Sequence, residues 1–216
     1  MFIPLVDILR CPRPHDETWL VASIDRAEGR DIVDGTLGCP ICSAEYPIRD
    51  GVVDFGGAPA ATPYIAPRDD EAVRLAAALD LTDARAIALL QGAWGAHAPL
   101  IRSISPAQLL LVNPPEGVAS GDGISIVRGA TAPVAASTVH GAAVSTTASA
   151  AMISSLVPAV RAGGRLLAPT GMPIPDGFAQ LARDADVWVA GLAPGASVSA
   201  PVPLTRRAPP LGDGPG

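Results

Sequence analysis

The first 42 residues narrow what this chain can fold into, because all three of its cysteines lie there at metal-ligand spacing. Cys11 is followed four positions later by His15, and Cys39-Pro40-Ile41-Cys42 forms a Cys-x-x-Cys pair. The set is three thiols and one imidazole, with no cysteine left over. Such soft donors suit tetrahedral Zn²⁺, and a shell filled by four protein ligands leaves no position for substrate. The spacing predicts a structural zinc ribbon over residues 1–55, with Cys11, His15, Cys39 and Cys42 as ligands.

The rest of that region reads as small β structure. Short apolar runs such as Trp19–Ala22, Ile32–Val33 and Tyr46–Val53 alternate with turn signals. Asp34-Gly35 and Asp50-Gly51 are dipeptides that favour tight hairpins. Residues 56–68, rich in Gly, Ala and Pro, read as a linker.

From Asp69 the pattern changes. Asp69-Asp70-Glu71 opens an amphipathic helix running to Leu79, its acids placed near the positive end of the dipole. Largely apolar runs follow at 87–90, 109–112, 124–127, 142–144, 166–168 and 187–190. Runs this short suit parallel strands covered on both faces. Thr147–Ala162 and Asp176–Arg183 read as helices between them. The fold class is therefore α/β: a small β zinc ribbon, then a Rossmann-like doubly wound sheet over 69–200. Residues 201–216, with Pro209-Pro210 and closing glycines, read as a disordered tail.

Composition removes several functions. All 15 basic residues are arginine, so there is no lysine nucleophile, Schiff base or Walker-type phosphate lysine. A net charge of −6 argues against broad nucleic-acid binding, which draws its affinity from clustered positive charge. The amino terminus lacks a basic n-region, and the uncharged stretch 129–160 is broken by Pro133, His140 and many hydroxyls. Few cysteines and no membrane span predict a soluble protein of the reducing cytoplasm.

Three blocks carry a resemblance in the amino-terminal quarter: Leu5-Val6-Asp7-Ile8-Leu9-Arg10-Cys11-Pro12, Gly38-Cys39-Pro40-Ile41-Cys42, and Tyr46-Pro47-Ile48-Arg49-Asp50-Gly51-Val52. They resemble the zinc-ribbon family typified by the activator subunit of tRNA and protein methyltransferases. That family usually has a second cysteine where Pro14 stands here, and His15 is its substitute. The resemblance implies docking on a methyltransferase or another protein partner, and here a similar contact in cis.

The region from Ala72 to Ala190 resembles class I S-adenosylmethionine-dependent methyltransferases. Ile87-Ala88-Leu89-Leu90-Gln91-Gly92-Ala93-Trp94-Gly95 stands at the first strand and its glycine loop, Leu109–Pro114 at the second strand, and Arg161–Leu167 before the fifth. The resemblance implies S-adenosylmethionine as cofactor, with Gly92, Gly95 and Asn113 at its binding positions. The ligand chemistry departs from the family's pattern. Gln91 stands where an acid precedes the loop, and Trp94 occupies a position where bulk is excluded. Asn113 replaces the ribose-binding acid, Ala130 the acid after strand three, and His140 the aspartate of strand four.

Four lost acids, at Gln91, Asn113, Ala130 and His140, predict that ordinary cofactor binding has lapsed or changed. Gly92 and Gly95 would then serve a turn, Trp94 would fill core, and Asn113 would cap a strand end. Asn113-Pro114-Pro115 is like the Asn-Pro-Pro-aromatic motif of amino-methylating enzymes. Glu116 follows it, however, and it stands after the wrong strand, so it reads as a decoy. His97 reads as a cap or surface residue. With no acid–base pair visible, no catalytic residue is assigned. The expected function is a non-catalytic binding or regulatory partner of a methyltransferase. The alternative is an active S-adenosylmethionine-dependent methyltransferase with an atypical loop.

Overall fold

The structure is a computed structural model that describes residues 1–61 and 63–194. The tail expected over 201–216 lies outside the described residues. Among the described residues, one sheet of eleven strands runs through both the ribbon and the region beyond it. Strands β1 (Val21–Glu28), β2 (Asp31–Gly38), β3 (Glu45–Arg49) and β4 (Val52–Asp54) pair antiparallel in succession. The β3–β4 hairpin turns at Asp50-Gly51, both at positive φ, as the dipeptide requires.

Asp34-Gly35 does not form the expected hairpin. It lies inside β2, and the first hairpin turns at Gly29 (φ +59) instead. Gly35 is small for another reason: a Cβ there would collide with the Ser23 carbonyl. Beside it, β1 carries a register irregularity between Ile24 and Arg26.

Helix α1 (Ile3–Val6) precedes the ribbon strands, and α2 (Asp69–Ala78) follows them. Then come β5 (Ile87–Gln91), a 3-10 turn (Gly92–His97), α3 (Ala98–Ile104), β6 (Gln108–Val112), β7 (Ile124–Arg128) and β8 (Val139–Ala143). The described residues end with α4 (Ala150–Leu156), β9 (Val160–Pro169), β10 (Phe178–Arg183) and β11 (Val187–Leu192).

Strand order is β1-β2-β3-β4-β7-β6-β5-β8-β9-β11-β10. Strands β4 to β9 pair parallel across the centre, while β11 and β10 are antiparallel. From β7 to β10 this is a Rossmann-like arrangement of the class I methyltransferase type. The order reverses between β5 and β8.

Residues alternate between the two faces of the central strands. Leu89, Leu110, Val112, Ala142 and Leu166 belong to one core, while Ala88, Leu90, Leu109, Leu111 and Leu167 belong to the other. Helices α2 and α3 cover the second face through Leu75, Leu79 and Ile101. The first face takes Met152 and Leu156 of α4, together with Met1, Leu5 and Leu9.

The amino-terminal segment thus packs on the sheet in cis. Segments 113–123 and 129–138 connect parallel strands without a helix. Residues 1–10 close over that face instead. The Phe2 N–H donates to Ser125 Oγ (2.9 Å), the Arg10 N–H to the Pro133 carbonyl (2.8 Å) and the Ala135 N–H to the Ile8 carbonyl (2.8 Å). Pairing of β4 with β7, Val53 opposite Val127, completes the junction.

Two expected helices differ from the structure. The helix over 147–162 is confined to α4, whose Ser149 cap accepts from the Met152 N–H. Pro158 then lacks an N–H to continue the ladder, and β9 begins at Val160. In place of the helix expected over Asp176–Arg183, Phe178–Arg183 forms the edge strand β10 after a turn at Asp176-Gly177. Antiparallel pairing with β11 supplies its backbone bonds, with Phe178 opposite Leu192 and Arg183 opposite Trp188.

Candidate functional site

Cys11 follows the isolated Arg10–Trp19 bridge, Cys39 comes directly after β2, and Cys42 sits in the turn that follows. The turn is built by local bonds: Ser43 N–H donates to the Cys39 carbonyl (3.0 Å) and Cys39 N–H to the Ala44 carbonyl (2.8 Å), with Ser43 at φ 55. The ligand atoms of Cys11, His15, Cys39 and Cys42 all lie within 4.8 Å of one another. Cys11 and Cys42 sulfurs are 3.7 Å apart, and Cys39 Sγ is 3.4 Å from His15 Nε2. Metal–sulfur bonds of about 2.3 Å at the tetrahedral angle place two sulfurs about 3.8 Å apart, so the donors fit one ion.

The surroundings orient these donors. His15 Nδ1 lies 2.6 Å from the Asp16 carbonyl, which leaves Nε2 for the metal side. Tyr46 hydroxyl lies 3.1 Å from Cys11 Sγ, and its ring packs on Phe55 with centroids 4.7 Å apart. Burial pushes the Cys39 thiol up, but the N–H groups of Cys42 and Ile41, together with hydrogen bonds to the Cys42 and Cys11 side chains, more than offset this and bring it to about 6. The His15 imidazole is raised, first by the Asp16 carbonyl. Four Cys and His residues here could hold a metal ion. Such an ion would tie residues 11–15 to the β2–β3 turn. Tyr46 carries no metal-site signal of its own in the sequence, since only the fold brings it to Cys11.

The second candidate region is the crevice at the carboxyl ends of the parallel strands, where open doubly wound sheets take their ligands. Gly92 has φ +62, and a Cβ on it would stand 2.5 Å from Ser145 Oγ. A Cβ on Gly95 would stand 2.7 Å from Pro114 Cβ. Both glycines therefore allow close approach, but the groups approaching them belong to this chain.

The neighbouring side chains are engaged in the same way. Gln91 Oε1 accepts from the Ser145 N–H (3.0 Å) and hydroxyl (2.8 Å). Trp94 donates its indole N–H to the Val144 carbonyl (3.0 Å). Asn113, only 7% exposed, donates to the Gly129 carbonyl (2.8 Å) and accepts from the Gly129 N–H (2.9 Å). The amide thus fastens the end of β6 to the residue after β7.

The histidines lie apart. His140 stands at the amino end of β8, where its Nδ1 accepts the Ile87 N–H at 3.1 Å, away from the crevice. His97 is buried rather than at the surface, and its Nδ1 has no hydrogen-bond partner. Burial pushes its imidazole below the ordinary value, against an upward pull from the Trp94 backbone and Glu71. No helix among the described residues is long and apolar enough to cross a membrane.

A Rossmann-like sheet carrying a four-donor ribbon is the frame that geometry alone defines. Residues 4–51 match the family model described as Trm112p-like protein. The amino-terminal part of the chain is thus similar to Trm112p-like proteins, and it is joined to a Rossmann-like sheet. No curated protein matches the sequence.

Solved structures similar to it include a protein from Corynebacterium glutamicum, at 14% identity and TM-score 0.44 over 60% of this chain and 83% of that one. MycE methyltransferase of the mycinamycin biosynthetic pathway, solved with Mg, SAH and mycinamycin VI, is 13% identical over 66% of this chain and 53% of that one, TM-score 0.45. The pyocyanin biosynthetic protein PhzM is 16% identical over 56% and 54%, TM-score 0.42. This chain spans about half the length of the last two.

Proposed function

We propose that this chain is a binding or regulatory partner of a methyltransferase, with a structural Zn²⁺ held by Cys11, His15, Cys39 and Cys42. One observation carries the reading: the crevice groups Gln91, Trp94 and Asn113 are all spent on internal hydrogen bonds to Ser145, Val144 and Gly129. A cofactor at Gly92, Gly95 and Asn113 has to displace those bonds first, which removes the free-energy advantage of a preformed site. The ribbon match supports the partner, since Trm112p-like proteins interact with methyltransferases. The zinc, when bound, supplies a cross-link and no chemistry. Free thiols fit a cytoplasmic setting, and a net charge of −6 fits a protein partner better than a nucleic acid.

The second reading, an active S-adenosylmethionine-dependent methyltransferase, is favoured by the intact strand order around β5 and β8. Methyl transfer from labelled S-adenosylmethionine separates the two. The purified full chain is expected to transfer nothing alone and to change the rate of a methyltransferase that co-purifies with it. Transfer by the chain alone overturns the reading.

A further inference from the structure

Trp94 and His97 lie between two adjoining cavities of about 390 and 270 Å³, which share Trp94, His97, Asp186 and Val187 in their walls. Together they form a cleft of ligand size beside the carboxyl ends of β8 and β9. It lies next to the reversal of strand order between β5 and β8, yet Gly92, Gly95 and Asn113 do not line it.

Its chemistry is specific. Trp94 has given its N–H to Val144, so its ring offers the cleft apolar and π surface, backed by Leu75, Leu167 and Val189. The two arginines at the rim are already paired, Arg68 with Asp70 and Glu71, and Arg74 with Asp70. The acids Glu71, Asp184 and Asp186 outnumber them in the wall. Asp184 is occupied by the N–H groups of Asp186 and Val187, each at 2.8 Å.

His97 is the second, independent sign of a ligand. It is 9% exposed, its Nδ1 is closed off from solvent, and its Nε2 makes no hydrogen bond and stands 3.8 Å from Glu71 Oε2, which also accepts the Arg68 N–H at 3.1 Å. That gap is too wide for a hydrogen bond and is suited to a donor with several N–H groups.

We propose that this cleft binds a small protonated amine bearing an aromatic or apolar group. The ammonium lies on the Glu71–His97–Asp186 side, and the apolar group lies against Trp94, where aromatic and cation–π contacts add to burial.

Calorimetry of the full chain with 2-phenylethylamine tests this, with 2-phenylethanol and 3-phenylpropionate as neutral and anionic counterparts. The amine is expected to bind at least tenfold more tightly than either. Asp186→Asn, at an exposed carboxylate, is expected to weaken it at least fivefold, and Glu71→Gln by a similar factor. Equal binding of the alcohol, or no effect of Asp186→Asn in a folded protein, overturns the proposal. Displacement of the amine by S-adenosylmethionine also overturns it, since the cleft then belongs to a cofactor. Binding of S-adenosylmethionine without displacement leaves the amine site standing and overturns only the non-catalytic reading.

Discussion

Replacing Asn113 by alanine separates a structural crevice from a vestigial cofactor site. The substitution removes two hydrogen bonds, at 2.8 and 2.9 Å, and strands both the N–H and the carbonyl of buried Gly129. Each stranded group costs about 1–3 kcal/mol. Asn113 also sits at φ 51, where alanine costs about 1 kcal/mol more than asparagine. Taking the lower part of each range, because the loop can admit water, the loss is about 3–5 kcal/mol. For a chain of this size, that lowers the melting temperature by about 10 °C.

Thermal unfolding followed by circular dichroism reads the shift, and hydrogen exchange at the Gly129 amide shows where it arises. Asn113→Asp sharpens the comparison. It restores the acid of the methyltransferase pattern but turns a donor into an acceptor against the Gly129 carbonyl and buries a charge. Both variants are expected to be destabilised, and the aspartate is expected to gain no affinity for S-adenosylmethionine. A melting point within 2 °C or so of the parent for Asn113→Ala refutes the reasoning.

Three further outcomes follow from the structure. Purified protein is expected to hold about one equivalent of zinc by elemental analysis, and chelator or Cys39→Ser to lower its unfolding temperature, because metal binding is coupled to folding. Less than half an equivalent, with folding indifferent to chelator, contradicts the ribbon. Gly95→Ala, whose Cβ meets Pro114 at 2.7 Å, is expected to cost about 1–3 kcal/mol in urea unfolding. A neutral result there means that the loop is not packed on Pro114.

The pH dependence has a fixed sign. His97 and His140 are both depressed from an ordinary 6.5, chiefly by burial, so just below that pH the unfolded chain binds more protons. Their contribution is full above 6.5 and is lost as pH falls through the folded values. His140→Gln is expected to flatten the acid limb of a stability–pH curve, and an unchanged slope counts against it.

The clustering of Cys11, His15, Cys39 and Cys42 was legible in the sequence because each half of the cluster is a local pair, Cys11 with His15 and Cys39 with Cys42. Strands β5, β6 and β7 were legible for a related reason: both faces are buried, and the sequence there is almost unbroken apolar residue. Strand β10 was not. It lies at an edge with mostly exposed side chains, and no apolar period marks it against a helix. The Asp34-Gly35 misreading has the same root, since the glycine answers to Ser23 across the hairpin and not to a turn. What fills the crevice was hidden too. Gln91 meets Ser145 from 54 residues away and Asn113 meets Gly129 from 16, distances at which no local pattern points from one partner to the other. His97 reads as a cap or surface residue; it does stand at the N-cap position of α3, but its side chain makes no cap bond and is buried, because α2, which covers it with Glu71, precedes it by a whole strand.

The crevice is where the account is most exposed to test. Calorimetric titration of the full, zinc-loaded chain with S-adenosylmethionine and S-adenosylhomocysteine addresses it directly. The predicted result is no saturable heat at millimolar ligand. Micromolar binding that is lost in Gly92→Trp, with the variant still folded, contradicts the account and restores the chain to the catalytic methyltransferases.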